Sequence, residues 1–136
     1  MTVERTTVYE AIGGAPTLRK LVNTFYNLVA NDATIRPLFP DDFTEIREKQ
    51  YMFLTQFFGG PMLYSEHYGS PMMRMRHQRF PIAERHAQAW LKCMSQALDE
   101  TGITGPVREF MFDRLTLTAH HMVNTEEESD PESDRR

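Results

Sequence analysis

Residues 44–61 read TEIREKQYMFLTQFFGGP. Ile46, Gln50, Phe53, Leu54, Phe57 and Phe58 recur at steps that place them along one side of a helix. Gly59-Gly60-Pro61 then ends it sharply. The same grammar extends in both directions. Upstream, Gly13 and Gly14 break the chain and Pro16 suits a first helical turn. Leu18, Leu21, Val22, Phe25, Leu28 and Val29 follow at helical spacing, and Asn31 and Asp32 close that helix. A short turn of helix then stops near Pro40. Downstream, residues 62–70, MLYSEHYGS, read as a loop. Ser70 and Pro71 look like the N-cap and first position of a short segment, PMMRMRHQRFP, boxed between two prolines. A helix over about residues 83–101 buries Ala89, Trp90, Cys93, Met94, Ala97 and Leu98 and stops at Gly102. Thr104 and Pro106 open the last helix, with Val107, Phe110, Met111, Leu115, Thr118 and Met122 at helical spacing.

The fold class is therefore all-α, with four substantial helices and a long irregular link between the second and the fourth element. Alternating polarity, the mark of a half-buried strand, is absent. The chain of 136 residues suits one domain and is long enough to bury a core without staples. We place that domain at residues 1–125 and read 126–136 as a disordered acidic tail. The net charge of −4 gives no electrostatic footprint for nucleic acid. The single cysteine, Cys93, excludes an intramolecular disulfide, a CxxC metal clamp and a CxxCH haem attachment. No signal peptide and no membrane span are legible, so a cytoplasmic location is expected, with no membrane partner.

Several polar groups lie where the pattern calls for burial. Gln50 falls on the apolar side of its helix, where an unpaired amide costs a few kcal/mol. Taken alone, it reads as an amide bonded to backbone or lying at the core rim. Tyr26 alone reads as a buried ring with its hydroxyl at the surface, and Trp90 as a core anchor. His77 shares its helical side with Met73, Arg74 and Phe80. It fits a metal ligand or a partly buried histidine bonded to a carbonyl. HExxH, ExxH, GxxxxGKS/T and GxSxG are all absent, which leaves zinc proteolysis, di-iron chemistry, nucleotide hydrolysis and serine-hydrolase chemistry without support.

In combination these positions resemble a family, the group II truncated haemoglobins. The resemblance runs from YEAIGG at residue 9 to LTAHHMVN ending at Asn124. It rests on TFY at 24–26, RPLFP at 36–40, KQ at 49–50, FLTQFFGGP at 53–61, RMRH within 71–80 and AWLKCM at 89–94. It implies a truncated globin-like two-over-two helical sandwich that carries non-covalent haem b. By resemblance His77 is the proximal iron ligand. Arg76, Lys49 and Tyr64 match positions that contact haem propionates, Arg76 through a guanidinium suited to carboxylate. Met73, Phe53, Phe57 and Phe80 would line the macrocycle. Tyr26, Gln50 and Trp90 match the distal positions, and each carries a hydrogen-bond donor. Ile46 stands where many globins have a distal histidine and where this family usually has a small residue. Phe39 stands where some members have a tyrosine.

The resemblance implies binding of dioxygen, nitric oxide, carbon monoxide or sulfide at iron, with slow oxygen release and redox or detoxification chemistry on the bound ligand. Nitric oxide dioxygenase-like or weak peroxidase-like activity, a reductase partner, and a monomer or weak homodimer are the accompanying expectations. A peroxidase needs a distal acid/base group, and Tyr26 and Gln50 are poor substitutes for histidine. The alternative from a different class is a haem-free helical protein-interaction module, its nine methionines giving an adaptable surface.

Overall fold

The structure is a computed structural model that describes residues 7–69 and 82–123. Among these residues every regular element is helical: α1 (Val8–Ala11), α2 (Ala15–Val29), a 3₁₀ turn (Arg36–Leu38), α3 (Thr44–Phe57), α4 (Leu63–Tyr68), α5 (Glu84–Thr101) and α6 (Gly105–His121). The punctuation read from the sequence sets most of these bounds. Thr44 opens α3, Gly102 closes α5 in the left-handed region at φ 89°, and Thr104 sits at the N-cap of α6.

Burial follows the helical spacing. Leu18, Leu21, Val22, Phe25, Tyr26 and Val29 of α2 lie inside, as do Met94, Ala97 and Leu98 of α5 and Met111 and Leu115 of α6. Each large side chain removed from water contributes about 1.5–3 kcal/mol. α2 packs against both α5 and α3, and α5 packs against α6, which lays the α2/α3 pair over the α5/α6 pair. This is the expected two-over-two sandwich.

Four details depart from the sequence reading. Residues 63–68 form a helix, not a loop. Its apolar content is too short to show a period, and it is held from outside. Gln56 of α3 donates from Nε2 to Ser65 Oγ at 2.8 Å and accepts the Ser65 N–H at 2.9 Å. At the N-terminus, α1 is a further helical turn. Thr7 Oγ1 accepts the Glu10 N–H and Glu10 Oε1 accepts the Thr7 N–H, a reciprocal cap. Phe110, placed on the buried stripe of α6 by spacing, is 49% exposed. Thr55 is fully buried on α3, its hydroxyl donating to the Tyr51 carbonyl at 2.8 Å.

The end of α3 is fixed by close approach. The Tyr9 N–H donates to the Phe58 carbonyl at 2.8 Å. A Cβ on Gly60 would lie 2.8 Å from the Tyr9 ring and 2.9 Å from the Thr55 methyl group, so only glycine fits there. Among the described residues no helix is long and apolar enough to cross a membrane.

Candidate functional site

Tyr26 stands near the C-terminal end of α2 and is 1% exposed. Its ring meets Phe25 edge-on at 4.9 Å, Phe39 at 5.7 Å and Phe43 at 5.4 Å. Among the described residues no hydrogen bond engages its hydroxyl. Yet no fully sealed side-chain nitrogen or oxygen there lacks a partner. The hydroxyl therefore opens onto accessible space at the tip of an otherwise enclosed ring. Burial raises the phenol above its ordinary range, while the Arg47 charge pulls the other way. The group stays protonated, and a protonated phenol is a donor.

Trp90 of α5 is half-buried, its ring edge-on to Phe25 at 5.1 Å between centroids. Phe25 thus carries Tyr26 on one contact and Trp90 on another, which brings α2 and α5 together at these two residues. Gln50, expected on the apolar side of α3, is half-buried there, one turn after Ile46 and just before Phe53. The Trp90 N–H and the Gln50 amide also have no hydrogen-bond partner among the described residues. Ile46 is half-buried and packs on the same cluster as Tyr26, Phe53 and Trp90.

An aromatic cluster continues along α3. Phe53 and Phe57 stack at 5.3 Å with 22° between their planes, and Tyr64 of α4 meets Phe53 edge-on at 5.7 Å. Tyr64 is buried and packs on Tyr68, over whose ring the Lys49 ammonium sits at 5.1 Å. Tyr26, Gln50, Trp90, Ile46, Phe53, Phe57, Lys49 and Tyr64 all fall within the described residues. Met73, Arg76, His77 and Phe80 lie outside them, as does the tail at 126–136.

Residues 7–124 match the model of the bacterial-like globin family. The chain is 53% identical over 125 residues to the group 2 truncated hemoglobin YjbI of Bacillus subtilis, covering 92% of this chain and 94% of that protein. The chain belongs to the group II truncated haemoglobins.

Solved structures of this family carry the same fold. The group II truncated hemoglobin of Bacillus anthracis superposes with a TM-score of 0.92 at 51% identity, over 95% of this chain and 99% of that one. The truncated oxygen-avid haemoglobin from Bacillus subtilis superposes with a TM-score of 0.85 at 53% identity, over 88% of this chain and 100% of that one. Haem binding follows from membership of the globin family, and the donor set and aromatic cluster of this truncated haemoglobin suit such a group.

Other polar residues in this truncated haemoglobin are accounted for inside the fold. His86 Nδ1 accepts the Ala83 N–H at 2.8 Å, capping α5, and His120 of α6 pairs with Glu84 at 3.1 Å. The Cys93 thiol is buried and points toward Asp32 Oδ2 at 3.9 Å. Sequence reasoning missed Phe43, which packs on the Tyr26 ring, and Arg47, Asn23 and Asn27 on the outer face beside it. Arginine and asparagine on an outer helix face look like a solvated surface. The one usable signal was the spacing of Asn23 and Asn27, one turn apart and astride Tyr26.

Proposed function

We propose that this chain holds one non-covalent haem b and binds dioxygen and related diatomic ligands with slow oxygen release. The observation that carries the reading is a set of three donors, at Tyr26, Gln50 and Trp90, with no hydrogen-bond partner among the described residues. A phenol at the tip of a buried ring, with no partner among the described residues, is well placed to donate to a ligand in the space it faces. When bound, haem supplies an iron that takes a diatomic ligand and leaves it partly negative.

The residues then act on that ligand. The Tyr26 hydroxyl, the Gln50 amide and the Trp90 N–H donate to it, and the aromatic cluster around Tyr26 excludes water. Each such bond contributes about 1–3 kcal/mol, or roughly one to two decades in release rate. Phe53 and Phe57 offer a flat apolar face to a macrocycle. By the family resemblance, Lys49, Tyr64 and Arg76 would serve its propionates, Met73 would add to the lining, and His77 would hold the iron. The Bacillus subtilis relative is an oxygen-avid truncated haemoglobin, which supports slow release here.

Slow release suits redox or detoxification chemistry on the bound ligand, with a reductase as electron source, better than bulk delivery. We place the globin unit at residues 1–125, the acidic tail at 126–136, and the protein in the cytoplasm. Titration of the purified protein with hemin tests the reading. One equivalent should produce a sharp Soret band and quench the single tryptophan, Trp90. A folded protein that takes up no hemin would contradict it and leave a haem-free interaction module.

A further inference from the structure

Arg47 reaches across from α3 to α2 on the outer flank of Tyr26. Its Nη1 donates to Asn23 Oδ1 at 3.0 Å and to the Asn23 carbonyl at 3.5 Å, and its Nη2 donates to Asn27 Oδ1 at 3.1 Å. Asn23 and Asn27 are one turn apart on α2, and Tyr26 directly precedes Asn27. The two asparagine oxygens therefore hold the guanidinium on the outer face of α2, beside the turn that carries Tyr26. The Arg47 guanidinium carbon also lies 6.0 Å from the Phe43 ring centroid, and Phe43 packs on the Tyr26 ring at 5.4 Å. On α3, Arg47 follows Ile46 and precedes Gln50 by less than a turn.

The chemistry of this placement is specific to a fixed cation. A positive charge beside a phenol favours loss of its proton and so makes the hydroxyl a stronger donor. The charge of Arg47 acts on Tyr26 in this sense, against the effect of burial. A guanidinium can hold its place through two forked bonds, which a lysine cannot reproduce.

We propose that Arg47 is a positioning residue for ligand retention, held by Asn23 and Asn27 so that its charge strengthens the Tyr26 hydroxyl as a donor to the haem ligand. The proposal rests on the haem-site reading above.

The test uses the hemin-loaded protein and its carbon monoxide complex. The C–O stretching frequency falls as the potential at the ligand becomes more positive, so it reports the field independently of any turnover. Arg47→Gln should raise that frequency and speed oxygen release about two- to tenfold. Arg47→Lys should fall between the wild type and Arg47→Gln. In a Tyr26→Phe background, Arg47→Gln should move neither readout. An unchanged C–O stretch and release rate in Arg47→Gln would overturn the proposal and leave Arg47 as a stability contact, visible only as a lower denaturation midpoint. An equal shift in the Tyr26→Phe background would also overturn it, since the charge would then act without Tyr26. A chain that takes up no hemin overturns the haem-site reading and this proposal together. A chain that binds hemin but ignores Arg47 overturns only the proposal.

Discussion

The Phe25 and Trp90 rings meet edge-on at 5.1 Å, and this contact fixes the indole of α5 against α2 beside Tyr26. The indole has two separable jobs. Its ring fills space, and its N–H, without a hydrogen-bond partner among the described residues, is available to a ligand. Trp90→Phe keeps most of the ring and removes the donor. We expect oxygen release to quicken by about one to two decades, from the loss of about 1–3 kcal/mol, with a much smaller change in carbon monoxide release. Stopped-flow displacement of each ligand checks this. Equal acceleration of both ligands would assign Trp90 to packing.

Ile46 is half-buried against the core at the position where a small residue is usual in the family resemblance. Its side chain donates no hydrogen bond, so its influence on a ligand is steric. Ile46→Ala should speed oxygen association while leaving release nearly unchanged, at a stability loss of about 1 kcal/mol, below that of a fully buried isoleucine. Flash photolysis gives the association rate directly. An unchanged rate would place the entry route elsewhere.

Gly60 tests the fold apart from the site. A Cβ there would meet the Tyr9 ring at 2.8 Å and the Thr55 methyl at 2.9 Å, both in the tight junction between α1 and α3. Gly60→Ala should destabilise by about 1–3 kcal/mol through overpacking. The denaturant midpoint should fall with the slope unchanged. Tyr9→Ala removes the ring and should restore part of the loss.

Burial pushes the Cys93 thiol up to about 11, with the Asp32 carboxylate adding to the effect. An unfolded thiol gives up its proton near pH 9, while the folded one holds it until about pH 11. The unfolded state therefore binds fewer protons across that window, and stability falls as pH rises through it. The expected loss from this group is about 1–3 kcal/mol. Cys93→Ala should flatten the dependence of the unfolding free energy between pH 9 and 11, whatever it does to the value at pH 8. An identical slope in the variant would contradict the assignment.

Much of the fold was legible because the chain is punctuated. Gly102 marks a helix end by backbone chemistry that needs no tertiary context, its φ of 89° being open to glycine, while Thr44, Gly59-Gly60 and Thr104 were legible as breaks in the helical spacing. The elements that escaped are those whose stability comes from elsewhere. The helix at Leu63–Tyr68 is too short to show a period and depends on Gln56 for its anchoring. The turn at Val8–Ala11 was announced only by Thr7 and Glu10, a capping signal with no apolar run behind it. Phe110 misled because apolar residues surround α6 on more than one side, so spacing alone does not say which side is buried. In the site, Tyr26, Gln50 and Trp90 stood out as donors on apolar faces. Arg47 did not, because its meaning lies in what α2 places opposite it.

The Tyr26 hydroxyl stands at the tip of a buried ring, protonated and without a hydrogen-bond partner among the described residues. The oxygen dissociation rate of Tyr26→Phe, measured beside its unfolding free energy, tests this most directly. Release should be faster by about one to two decades, with unfolding free energy unchanged or slightly higher, since no hydrogen bond among the described residues is lost. A variant that releases oxygen at the wild-type rate, or that loses stability by about 1 kcal/mol or more, would show that the hydroxyl serves the fold and not the ligand.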